Sequence, residues 1–187
     1  MSARTFSDKA VDTNTVQGDT VKSKTVNLIK VQEDFRANPY KDGKNKSVGY
    51  GFYIPSLESD EKALIRDINN ITQPEADAVI ELKVSKITDF MTNEVSGFDN
   101  LPDNTQMAIT SMAFQLGRQN VRDEWPKFMT AIKKAASLPT NSAEQKKVLE
   151  EASMHMLFNV NGKRKTATSW SKQTPNRAKE MAEAIKG

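Results

Sequence analysis

The 187-residue chain has no cysteine and a single histidine, His155. Without thiols there is no disulfide, no thiolate zinc site and no cysteine nucleophile. One imidazole excludes a multi-histidine metal centre and leaves little room for a serine–histidine triad. No apolar run approaches the roughly 20 residues that span a bilayer, so no stable membrane insertion is expected. The N-terminus lacks the basic-then-apolar layout of a signal peptide. Synthesis in a cytoplasm is therefore expected, with any export depending on another component. An excess of one charge is missing too: 27 Lys and Arg against 24 Asp and Glu give +3, with a pI near 9.0. That mild basicity suits an anionic polymer but is too weak to indicate nucleic acid. There is no phosphate-binding loop or nucleotide motif, and no metal or cofactor is expected.

What is present begins with a polar, threonine-rich stretch. Residues 1–24, "MSARTFSDKAVDTNTVQGDTVKSK", keep neither a helix nor a strand period and read as a flexible tail. Residues 25–187 are long enough for one folded domain. From Thr25, Val26, Ile29 and Glu33 recur at helical spacing, with Leu28, Gln32 and Phe35 beside them, so a helix with a broad apolar face is expected. Polar "NPYKDGKNK" then ends it. Val48, Tyr50, Phe52 and Ile54 alternate in strand fashion, which leaves the opposite face bare at Gly49 and Gly51.

After Pro55 the pattern is helical almost to the end, with five or six helices expected. Thr72 and Glu75 have capping-box spacing, with Pro74 in the first turn, and open a long helix over about 72–95. "NTQMAITSMAFQLG" is apolar nearly all round and stops at Gly117, as a buried central helix would. Two more helices are expected at roughly 125–137 and 142–158. "NVNGKRKTATSW" reads as a basic loop. In the last helix Thr174 caps, Pro175 takes the first position, and Ala178, Met181, Ala182 and Ile185 form one stripe. A β patch in front of several helices makes the chain α+β and mainly helical.

Chemistry is concentrated in "EDFRANPYKDGKNKSVGYGF". Glu33 falls on an apolar helical face, where desolvation favours the protonated acid. Asp42 falls in a turn with Lys41, Lys44 and Lys46, which favours its ionised form. Two carboxyls held in opposite protonation states are the working pair of glycoside cleavage. The bare glycine face after Asp42 would let a bulky polymer approach the backbone. The remaining candidates have plainer readings. His155, in "EASMHMLF", suits a partly buried helical position, and the scattered methionines suit core packing. Lys163, Arg164 and Lys165 read as a solvated basic loop.

The segment "LIKVQEDFRANPYKDGKNKSVGYGF" resembles the catalytic stretch of the T-even-type phage lysozymes, glycoside hydrolase family twenty-four. "MAFQLG" resembles that family's apolar helix and turn lining the cleft, and "WSKQTPNRAKEM" is similar to its C-terminal run. The resemblance implies a lysozyme-like fold, with a small N-terminal β-containing lobe joined by a long helix to a helical C-terminal lobe and a cleft between them. It implies a muramidase that cuts the β-1,4 bond between N-acetylmuramic acid and N-acetylglucosamine in peptidoglycan. Glu33 would be the general acid, Asp42 would activate water and Ser47 would hold it. Arg177 would orient Glu33, while Gly49, Gly51, Phe114 and Gln115 would meet substrate. Deployment would be holin-dependent release from a host cytoplasm to the wall, or association with a virion. Wall or partner binding by a lysozyme fold without turnover is the alternative. Two departures stand out: Ser47 replaces a threonine one residue early, and Phe52 stands where many relatives carry histidine.

Overall fold

The computed structural model describes residues 20–162 and 164–186. The expected tail therefore lies outside the described residues as far as residue 19. Its last part is not tail-like: helix α1 spans Val21–Gln32, and the Thr20 hydroxyl caps it by accepting from the Ser23 N–H at 3.1 Å. Lys22 and Lys24 tie this first turn to Asp89 and Asp103, each at 3.0 Å. Capping and ion pairs hold the turn in place, and neither produces an apolar period that would reveal the helix start.

The front of the molecule is a three-stranded antiparallel sheet of β1 (Arg36–Asp42), β2 (Asn45–Gly49) and β3 (Phe52–Tyr53), in that order. The polar segment read as a helix breaker is thus an edge strand. It contains Pro39, which an edge tolerates, and it lacks the alternation that marks a half-buried strand. Asp42 pairs with Asn45 across a two-residue connection in which Gly43 has φ +59°. The single strand expected over 48–54 is broken at Tyr50 and Gly51, because Gly49 and Gly51 take φ +64° and +76°. Val48, Tyr50 and Phe52 still face one core, while Ile54 opens a 3-10 turn.

The rest is helical: α2 (Ser59–Ala63), α3 (Gln73–Glu94), α4 (Asp103–Leu116), α5 (Arg118–Glu124), α6 (Pro126–Ala136), α7 (Ala143–Leu157), α8 (Ser169–Gln173) and α9 (Pro175–Ile185). Eight α-helices follow the sheet among the described residues, against the expected five or six. The excess is α2, α5 and α8, each too short to display a period. Thr72 and Glu75 form the capping box that starts α3, and α4 stops at Gly117. The supposed basic loop is an antiparallel hairpin, β4 (Phe158–Asn161) with β5 (Arg164–Ala167), whose polar strands carry no alternation. Thr174 does not cap α9 with its side chain; its hydroxyl donates to the Trp170 carbonyl at 3.2 Å. The α9 stripe Ala178, Met181, Ala182 and Ile185 is buried. No helix among the described residues is long and apolar enough to cross a membrane.

Two cores result. The front one gathers Val26, Ile29, Val48, Tyr50, Phe52 and the first half of α3. The rear one gathers the second half of α3 with α4, α6, α7 and α9. Helix α3, 22 residues long, belongs to both, and Phe114 packs against both. The fold is α+β, mainly helical, with two lobes joined by this long helix and a cleft between them.

Candidate active site

Glu33 is the C-cap of α1, in extended conformation, with its N–H bound to the Ile29 carbonyl at 2.8 Å. It therefore leaves the helix just where the chain turns toward the sheet, and its side chain is 24% exposed, facing the cleft. Arg177 reaches it from α9: Nη1 donates to Glu33 Oε1, and Nη2 donates to Ser111 Oγ on α4 at 3.1 Å. Ser111 in turn donates to Gln32 Oε1 at 2.9 Å. This chain of contacts ties α1, α4 and α9 together behind one carboxyl. Arg177 thereby holds the Glu33 carboxyl in one orientation. The other oxygen, Oε2, lies 3.4 Å from where a Gly51 Cβ would stand.

Asp42 ends β1 and is exposed. Buried Ser47, on the neighbouring strand, donates its hydroxyl to Asp42 Oδ2 at 2.6 Å. The serine proton thus fixes the carboxylate. Strand periodicity places Tyr40, two residues before Asp42, on the same face, and Tyr40 lines the cleft with it. Burial pushes the Tyr40 phenol up; Arg36 opposes this, and the charges of Asp42 and Glu33 add to it. The Arg36 guanidinium sits over its ring, 4.4 Å from the centroid.

These groups open onto a cleft of about 750 Å³, within the range of pockets that hold sizeable ligands. Glu33, Asp42, Gly51, Phe114 and Gln115 all line it. Gln115 accepts a hydrogen bond from the Trp170 indole, and Phe114 meets the Phe52 ring edge-on at 6.5 Å. Gly49 does not line the cleft. A Cβ there would lie 2.7 Å from the Phe52 ring, so this glycine serves the turn between β2 and β3. Deeper in the wall, Lys83 pairs with the 2%-exposed Glu61 at 2.8 Å. At the far end Arg118 meets Glu58 at 3.0 Å, joining the two lobes. His155 lies elsewhere, on α7, with its side chain 10% exposed. Among the described residues, no group of three His, Cys, Asp or Glu side chains is placed to hold a metal ion.

Sequence reasoning missed Tyr40, Ser111, Gln32 and the Lys83–Glu61 pair. Ser111 had a signal: with Thr110 it places hydroxyls inside the otherwise apolar run "AITSMAFQ". Tyr40 had one only for a reader who took "RANPYKD" as a strand.

A profile of the phage lysozyme family matches residues 30–146, a span that includes Glu33, Asp42 and Ser47 but not Arg177. No curated protein matches the chain. Among solved structures it is similar to the muramidase domain of SpmX from Asticaccaulis excentricus, with 16% identity and a TM-score of 0.58, over 89% of this chain and 97% of that one. At that identity the likeness concerns the fold, which is lysozyme-like.

Proposed function

Because this chain belongs to the phage lysozyme family, we propose that it is a peptidoglycan hydrolase of the T-even type, a muramidase serving lysis of a bacterial wall. The bond cut is the β-1,4 link from N-acetylmuramic acid to N-acetylglucosamine. One observation carries the reading: two carboxyls face one cleft, each fixed by a different partner, Glu33 by Arg177 and Asp42 by Ser47. Glu33 Oε1 can accept from Arg177 as the carbonyl oxygen of a neutral acid, which leaves Oε2 to carry the proton. That proton passes to the glycosidic oxygen as the bond from C1 breaks and its electron pair leaves with that oxygen. Water adds to C1 from the opposite face and gives its proton to Asp42. The sugar is inverted in this single displacement. Gly51 lets the strand approach the backbone, and Phe114 and Gln115 supply an apolar and a polar contact on the opposite wall.

Digestion of purified peptidoglycan tests this reading. The wild type should release fragments with N-acetylmuramic acid at their new reducing ends, and Glu33→Gln should release none while keeping native far-UV circular dichroism. An amide has no proton of the required acidity to give. Different reducing ends, or a Glu33→Gln rate within tenfold of wild type, would overturn the assignment.

A further inference from the structure

We propose that Tyr40 is a positioning residue of the same cleft, and that its hydroxyl, together with Ser47's, holds the attacking water beside Asp42. The inference rests on the hydrolase reading of the cleft. Three observations lead to it. The Ser47 proton goes to Asp42 Oδ2 at 2.6 Å, so toward a water Ser47 can only accept, and a hydrogen-bond donor must be another group. The Tyr40 side chain lines the cleft and shares a strand face with Asp42, two residues on. Its hydroxyl stands 3.8 Å from the position of the missing Gly51 Cβ, and Glu33 Oε2 stands 3.4 Å from the same point. The phenol oxygen therefore stands beside Gly51, near Glu33, in the cleft that Asp42 also lines.

The groups facing it explain why a phenol suits that place. Glu33 approaches from the end of α1 with Arg177 behind it, Asp42 and Arg36 lie on its own strand, and Ser47 faces it from β2. A cationic donor here would pair with one carboxylate and quench it, and a third carboxylate would be repelled. A neutral hydroxyl can donate to water or accept from it without doing either. Burial and the two neighbouring carboxylates push the phenol's titration upward, so it stays neutral in the working range. Arg36, stacked on the ring at 4.4 Å, fixes its direction. A bound water needs two to four polar partners, and Asp42 with Tyr40 supplies two.

The test is steady-state hydrolysis of soluble peptidoglycan fragments by the full chain carrying Tyr40→Phe, which removes only the oxygen. We expect kcat to fall about tenfold or more and KM to stay within twofold, since a water-positioning contact acts on the chemical step. Site-specific 4-aminophenylalanine at position 40 keeps the ring and its packing and returns a neutral hydrogen-bonding group to the same place. It should recover most of the kcat lost in Tyr40→Phe, which a purely structural ring would not do. An unchanged kcat in Tyr40→Phe overturns the proposal, and so does a raised KM at constant kcat, which would make Tyr40 a sugar contact. A folded 4-aminophenylalanine variant with a kcat about tenfold or more below wild type overturns it as well, even if Tyr40→Phe folds poorly. Failure of the hydrolase reading looks different: the wild type would then release no fragments, or Glu33→Gln would match it, whatever happens at Tyr40.

Discussion

Behind the sheet side of the cleft lie 11 buried apolar residues, and behind the helical side lie 25, among the described residues. The sheet wall presents Tyr40 and Asp42 from an edge strand whose side chains are mostly polar. The helical wall presents Gln115, and behind Glu33 it supplies Ser111 from α4, most of which is buried, and Arg177 from α9, which is buried along one stripe. Glu33 belongs to neither wall: it caps α1 between them and is gripped from the helical side. The difference teaches where chemistry and folding separate. On the sheet wall a working side chain can change with little loss of packing. On the helical wall the residues that hold Glu33 stand on helices of the main core.

The largest expected effect sharpens this contrast. Asp42→Asn should lower turnover by about 10²–10⁴-fold, the usual contribution of a general base. Its unfolding free energy should stay within about 0.5 kcal/mol of wild type, as for an exposed substitution. A large fall in the urea midpoint would show that the sheet wall is not separable. Trp170→Ala is the counterpart on the helical wall. The indole is 1% exposed, stacks edge-on against Trp125 and donates to Gln115. Its loss should cost about 3–5 kcal/mol in urea unfolding. A variant with native stability and poor activity would break the comparison.

The glycines give an intermediate test within the sheet. Gly49→Ala needs an alanine at φ +64° with its Cβ 2.7 Å from the Phe52 ring, and should cost about 1–3 kcal/mol. Gly43→Ala takes a similar φ of +59° with nothing within 4 Å, so only the backbone term of about 1 kcal/mol applies. Equal melting temperatures for the two would mean that the Phe52 contact relaxes freely. The smallest effect is a pH dependence in the helix that joins the lobes. A hydrogen bond from Arg66, then those from Thr72, hold Glu75 at about 2 against an ordinary 4.5. A depressed carboxyl contributes stability above its unfolded value and loses it as pH falls through its folded one. Wild type should therefore lose this contribution between about pH 4.5 and 2, and Glu75→Gln should show a flatter melting curve over that window. Parallel acid limbs would contradict it.

The helical half was legible in the sequence because its signals are local. The Thr72–Glu75 box, the Gly117 stop and the α9 stripe each announce themselves within a turn or two. The sheet half was half legible. Val48, Tyr50 and Phe52 gave away the buried face, but β1 is polar and irregular, with a register shift between Arg36 and Tyr40. That hid Tyr40, since a shared face with Asp42 exists only once the strand does. Glu33, Asp42, Ser47 and Arg177 could be named from motif resemblance. The Ser47 hydrogen bond to Asp42 could not, because it depends on the pairing of β1 with β2. Neither could Gln32 and Ser111, 79 residues apart, which meet only when α1 packs on α4.

The central claim is that an acid aimed from the helical side and a water activated on the sheet side act in one displacement. Proton NMR of the first product released from β-linked peptidoglycan fragments tests it directly. A single displacement predicts that the α-anomer appears first and then mutarotates. An initial β-anomer would mean that Asp42 attacks the sugar through a covalent intermediate, and it would contradict the roles of Asp42, Ser47 and Tyr40 in holding and activating a water.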